Sequence, residues 1–142
     1  MSIWFKEYKV EEINQQNKGC MVEHCGIEIT ELTENSIIGT MPADDRNKQP
    51  FGIVHGGANC VLAETLGSIA ANLTCDPKDS HAVGLTITTN HVKAVRNGLI
   101  KGIATPIHIG RTTHVWEIKT YNSSDQLTST TNLSLAIVKK LK

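Results

Sequence analysis

Residues Lys48–Leu73 read "KQPFGIVHGGANCVLAETLGSIAANL". A helix is expected to begin just after His55-Gly56-Gly57. Leu62, Leu66, Ile69 and Leu73 recur at i, i+4, i+7 and i+11, so they share one face for a core. This is the longest helix the sequence predicts. Gly57, Val61, Glu64, Ser68 and Ala71 form a neighbouring stripe of mostly small residues, where another backbone or a ligand can come close. Glu64 lies in the middle of it. Helix carboxylates usually face water, but the neighbours of this one are apolar or small.

Working outward, "VEEINQQNKG" fits a short amphipathic helix, with Val10 and Ile13 on one side and Gly19 as a stop. "GIEITELTENSIIGTMP" reads as two strands turning at or near Glu34-Asn35, and "ADDRNKQPFG" as a polar loop. After the loop "CDPKDS" the composition turns to β and stays there. In "AVGLTITTNHVKAV", Val83, Leu85 and Ile87 alternate with Thr86, Thr88 and Asn90. In "RTTHVWEIKTYN", Trp116 and Ile118 oppose Val115 and Glu117; in "LTSTTNLSLAIVKK", Leu127, Leu133, Leu135 and Ile137 share a face. A hairpin and one long helix thus precede three or so long strands joined by short turns. Short connections make neighbours antiparallel, and the helix must cover one sheet face. The expected class is α+β in a single domain over residues 1–142, without repeats or linkers.

A chain of 142 residues can bury one core. Fourteen basic and fourteen acidic residues cancel, so no global field draws nucleic acid or an anionic membrane, and neither is an expected partner. A phosphate-bearing ligand would have to be held by a few local cations. "MSIWFKEYKVEEI" lacks the apolar core and cleavage site of a signal peptide, and no apolar run approaches the ~18 residues of a membrane span. Cys20, Cys25, Cys60 and Cys75 show no C-x-x-C or zinc-ribbon spacing. A cytoplasmic location is therefore expected, with free thiols acting as small buried hydrophobes. His91, His108 and His114 fall on different strands or loops without H-E-x-x-H spacing, so no metal is expected.

The start of the long helix has the chemistry of an anion site. His55-Gly56-Gly57 leaves backbone N–H groups unpaired at the positive end of the helix dipole, an arrangement suited to a developing oxyanion. A carboxylate can attack the polarised carbonyl or deprotonate a water that does. Gly57 and Glu64 are seven positions apart, about 10 Å of helical rise, which is awkward for one carbonyl group. Gly57 of one subunit is therefore expected to work with Glu64 of another, in two sites shared across a twofold interface. For a phosphate, "HIGRTT" offers Gly110 for a tight turn and Arg111 for bidentate contact. "NHVKAVR" places His91 and Lys93 on one strand face, with Arg96 beyond.

Together "QPFGIVHGGANCVLAETLGSIA" and "GLTITTNHVKAVRNGLIKGIATPIHIGRTTHVWEI" resemble the hot-dog-fold acyl-CoA thioesterases, above all the bacterial 1,4-dihydroxy-2-naphthoyl-CoA hydrolases and related aroyl-thioesterases. The likeness runs from about Trp4 to Val138. It rests on the combination of H-G-G, a glutamate on the next helix, G-S-x-A, N-H-V and H-x-G-R. The resemblance implies a sheet wrapped round one central helix and assembly as a dimer of dimers. It implies hydrolysis of an acyl- or aroyl-CoA thioester, in menaquinone biosynthesis for the naphthoyl group. No cofactor is implied, because coenzyme A is part of the substrate.

By the same resemblance Glu64 is the nucleophile or general base, and Gln49 places the attacking water or the thioester. His55 lies beside the thioester carbonyl, the N–H of Gly56 or Gly57 polarises it, and Ser68 lies near the carboxylate. Gly84, His91, Val92, Lys93 and Ala94, with His108, Ile109, Gly110, Arg111, Thr112 and Thr113, would bind the substrate, the segments around His91 and Arg111 holding its CoA part. The resemblance implies arginine at the position of Lys93; lysine keeps the charge but loses the fork. Two other readings stay open: a proofreading thioesterase for acyl groups misloaded on a carrier protein, and a non-catalytic acyl-CoA-binding domain. Glu64 together with the H-G-G start counts against the last.

Overall fold

The computed structural model describes all residues from Met1 to Lys142. In chain order the elements are α1 (Val10–Gln16), α2 (Met21–His24), β1 (Glu28–Leu32), β2 (Ile37–Pro42), α3 (Gly56–Leu73), β3 (Ser80–His91), β4 (Leu99–Ile109), β5 (Thr113–Tyr121) and β6 (Leu127–Lys139). The strands form one antiparallel sheet in the order β1-β2-β4-β5-β6-β3. It holds α3 against β2 through β6, which is the hot-dog arrangement the sequence led us to expect. Four long strands follow the helix rather than three, and the short α2 had no counterpart in the sequence reading.

The helix begins one residue pair earlier than expected, at Gly56. His55 is extended (φ −62°, ψ 133°) and caps it, with Nδ1 accepting from the Gly57 N–H at 2.8 Å. The two glycines therefore make the first turn instead of preceding it. Leu62 and Leu66 are fully buried, as their spacing predicts, but Ile69 and Leu73 are only half-buried. The buried face shifts toward Asn59, Ala63, Gly67 and Ala70, because small residues let the sheet approach the helix closely. Leu66 fits over Gly39 and Gly102, which face each other across β2 and β4. A Cβ on Gly39 or Gly102 would fall 2.8 or 2.6 Å from a Leu66 methyl, and one on Gly67 2.6 Å from Leu133. Side chains there would push the helix off the sheet.

Trp116 and Ile118 point into the core from β5, and Trp116 stacks on Trp4 with ring centroids 6.3 Å apart. His114 lies on the same buried face. Burial pushes its pKa down, more than its bond to the Gly110 backbone pushes it up, so it is a neutral core histidine. Cys25 and Cys75 are buried and Cys60 half-buried; Cys20 is exposed, against expectation, because it sits in the turn ahead of α2.

The two sheet edges differ. Asn14 of α1 closes β1: its side chain gives and receives a hydrogen bond with the Ile29 backbone, both at 2.8 Å. On β3, Asn72 of α3 does the same for Ala82 alone, at 3.2 and 2.9 Å. Beyond Ala82 the outer edge of β3 meets no strand. Val83 and Leu85 stand 45% and 63% exposed beside it, next to a bulge between Gly84 and Thr86. A long, open edge with exposed apolar side chains beside it is a template for pairing with another chain.

Candidate active site

Helix α3 carries two separate clefts. The first, of about 380 Å³, lies at its start and is lined by Gln49, Gly56, Asn59, His91, Val92, Lys93 and Ala94, with Ile53, Val54 and Val95 behind. The sequence had marked Gln49, Gly56, His91, Val92, Lys93 and Ala94 as site residues, and the fold brings these six together. Two residues lining this space carry a free donor. The Gly56 N–H has no partner, whereas the Gly57 N–H, the donor expected for an oxyanion, is taken by His55. That shift follows from the cap: once His55 satisfies Gly57, Gly56 is left with the open N–H. The Gln49 side-chain oxygen accepts from the Phe51 N–H, which leaves the amide nitrogen of Gln49 unbonded. His55 itself is exposed, and its Nδ1 is committed to the cap.

The second cleft, of about 340 Å³, surrounds Glu64 with Met21, Val22, Cys60, Val61, Thr65 and Ile87. Its lining is almost wholly apolar apart from the carboxylate. Glu64 has no hydrogen bond and no ion pair within the chain. A carboxylate so placed remains available for chemistry. Ser68, one turn on, is half-buried, and its hydroxyl bonds nothing in the protein; its carbonyl accepts from the Asn72 side chain at 2.9 Å.

Gly84 lies against Glu64, apart from the other residues expected to bind the substrate and its CoA part. A Cβ at Gly84 would collide with Glu64 Oε1, so the missing side chain is what makes room for the carboxylate. Seven residues of strand, about 23 Å, separate Gly84 from His91. Gly84→Ala is therefore expected to displace the acid while the strand accepts alanine. The expected result is a loss of roughly 10² in kcat/KM with a nearly unchanged melting temperature, read by steady-state kinetics and thermal unfolding.

The remaining cation segment lies elsewhere. Ile109, Gly110, Arg111 and Thr112 line a third cleft of about 490 Å³ beside Thr74 and Cys75, at the far end of α3. His108 and Thr113 flank it on the exposed surface. With 18 residues in α3, about 27 Å of helix separates this cleft from Lys93. One chain does not bring the two expected CoA segments together.

Two contributions escaped the sequence reading. Met21 and Val22 reach the Glu64 cleft from α2, a contact only the tertiary fold creates. Asn59 could have been noticed as a polar residue on the buried face of an apolar helix.

An antiparallel sheet wrapped round one long helix is the hot-dog fold, here with an unpaired backbone N–H at the helix start and an unpaired carboxylate farther along it. Residues 51–129 match the Thioesterase superfamily, and the chain belongs to that family. It is 42% identical over 137 residues to the proofreading thioesterase EntH of Cronobacter turicensis, covering 96% of this chain and 98% of that protein. It is 38% identical over 136 residues to the 1,4-dihydroxy-2-naphthoyl-CoA hydrolase of Escherichia coli K12, covering 96% and 99%. Among solved structures, a thioesterase from Haemophilus influenzae superposes with a TM-score of 0.95 at 39% identity, covering 99% of this chain and 97% of that one. No helix is long and apolar enough to cross a membrane.

Proposed function

We propose that this thioesterase hydrolyses acyl- or aroyl-CoA thioesters, possessing two active sites that are each shared by two copies of the chain. The observation that carries this reading is the separation of the free donor from the free acid. Glu64 follows Gly56 by eight residues, about 12 Å along one helix, and the two groups line different clefts. A second copy running antiparallel along β3 supplies what is missing. It covers Val83 and Leu85, sets its Glu64 opposite the first copy's Gly56, and brings its own Arg111 end toward the first copy's Lys93. A twofold axis then makes both sites alike.

In each site the Gly56 N–H and the Gln49 amide hold the thioester oxygen. Glu64 of the second copy takes a proton from water, whose oxygen attacks the acyl carbon. The carbonyl electron pair moves to the oxygen held by Gly56; on its return the C–S bond breaks and coenzyme A leaves as thiolate, to be protonated from solvent. Direct attack by Glu64 would instead form an anhydride that water then opens, and isotopic oxygen in a single turnover separates the two routes. The apolar Glu64 cleft suits a ring or a short alkyl chain, which supports an aroyl or acyl group such as 1,4-dihydroxy-2-naphthoyl. Lys93 and Arg111 supply the cations a CoA phosphate needs.

Similarity to a proofreading thioesterase favours the carrier-protein reading as the alternative. Thiol release should be measured on aryl- and alkyl-CoA substrates beside the same acyl groups on a carrier protein. The expected result is a kcat/KM at least about tenfold higher on CoA, the scale of one charge-assisted contact. Higher rates on the carrier protein would refute the CoA assignment.

A further inference from the structure

The buried face of α3 carries a polar residue whose contacts are poor for stability. Asn59 is 6% exposed, and its Oδ1 has no hydrogen-bond partner. An apolar residue there would leave nothing unsatisfied, so stability does not account for the amide. Its one side-chain bond runs to β3: Nδ2 donates to His91 Nδ1 at 3.2 Å. With Nδ1 accepting, the ring proton sits on Nε2. That nitrogen lies over Gly56, 2.9 Å from the place a Cβ would occupy. Gly56, Asn59 and His91 line the same cleft.

We propose that Asn59 is a positioning residue for thioester hydrolysis, holding the His91 ring over Gly56 so that its Nε2–H meets the substrate beside the free Gly56 N–H. This rests on the reading that the Gly56 donor binds the thioester oxygen. His91 then does more than border the CoA channel: it adds a hydrogen-bond donor next to the reacting carbonyl. Asn59 acts only through it. Because the amide leaves an oxygen unsatisfied, its removal should cost rate and not stability.

The test combines Asn59→Ala, His91→Ala and the double variant. Asn59→Ala should lower kcat/KM about tenfold, the scale of one misplaced hydrogen bond, and should melt no lower than the parent. In the His91→Ala background it should change the rate no further. An equal loss in that background overturns the proposal, as does a lower melting temperature with an unchanged rate. Should Asn59→Ala fail to fold, the His91 ring nitrogens decide by NMR. The parent should show a protonated Nε2 and a bare Nδ1, and Asn59→Asp, whose carboxylate only accepts, should move the proton to Nδ1. A parent ring already protonated at Nδ1 refutes the assignment. Failure of the underlying site reads differently: Glu64→Gln would then keep full turnover. With Glu64→Gln inactive, additive losses from Asn59 and His91 sink this inference alone.

Discussion

Glu64→Gln should lower kcat on the best thioester by on the order of 10²–10⁴, the usual range for loss of a general base, with an unchanged melting temperature. The substitution keeps shape and volume and removes only the charge. Glu64 makes no ion pair or hydrogen bond in the chain that the amide would break. Its setting of Met21, Val22, Val61 and Ile87 contains no second acid to take over the proton. KM should move little, because the carboxylate acts on the water or the acyl carbon and not on the CoA handle. Steady-state thiol release and thermal unfolding check this together. Retained turnover would remove Glu64 from the chemistry.

Gly56→Pro is expected to cost roughly 10²–10³ in kcat, the scale of one lost oxyanion donor. Gly56 is the first residue of α3, where proline is tolerated, since the N–H it lacks has no helical partner. His55 ahead of it is already extended, the conformation a following proline demands. A Cβ at this position alone comes 2.9 Å from His91 Nε2, so Gly56→Ala, which crowds the ring but keeps the N–H, measures that part of the loss and should cost about tenfold, the scale of one misplaced hydrogen bond. Mixing then tests the shared site. A Glu64→Gln chain paired with a Gly56→Pro chain has one site with both groups intact and one with both lost. Random pairing of the two inactive variants should restore about a quarter of parental activity, half the dimers carrying one good site. If the mixture stays inactive although chains exchange, each chain works alone.

These expectations differ from the sequence reading at one atom. The sequence marked the H-G-G helix start and Glu64, because glycines, a dipole end and a carboxylate among small residues are local features; Gln49 was implied by the resemblance alone. It favoured Gly57 as the donor. Which N–H stays open depends on where the imidazole of His55 turns, and the cap at 2.8 Å leaves Gly56 free. Gly84 was named as a substrate contact by resemblance; that it lies against Glu64 depends on where the β3 bulge and the helix meet.

Much of the architecture was legible because hydrophobic period is local. The Leu62–Leu66 face, the Trp116–Ile118 alternation and the turn near Glu34-Asn35 follow from side-chain spacing along a helix or strand. Strand order is not local: nothing in the residues of β3 places it beside β6 at the open edge. Nor does spacing reveal that Ile69 and Leu73 yield core positions to Ala63 and Ala70, which depends on how tightly the sheet closes over Gly39 and Gly102. The sequence by itself determined the long helix, most of the strands, the antiparallel sense of strands joined by short turns, the candidate acid and the helix start that holds the donor, since each depends on neighbours a few residues apart. Only the tertiary structure decided which N–H is free, what surrounds Glu64 and that the two cation segments lie at opposite ends of α3. Those are distances between parts of the chain remote in sequence, and close packing around the helix sets them.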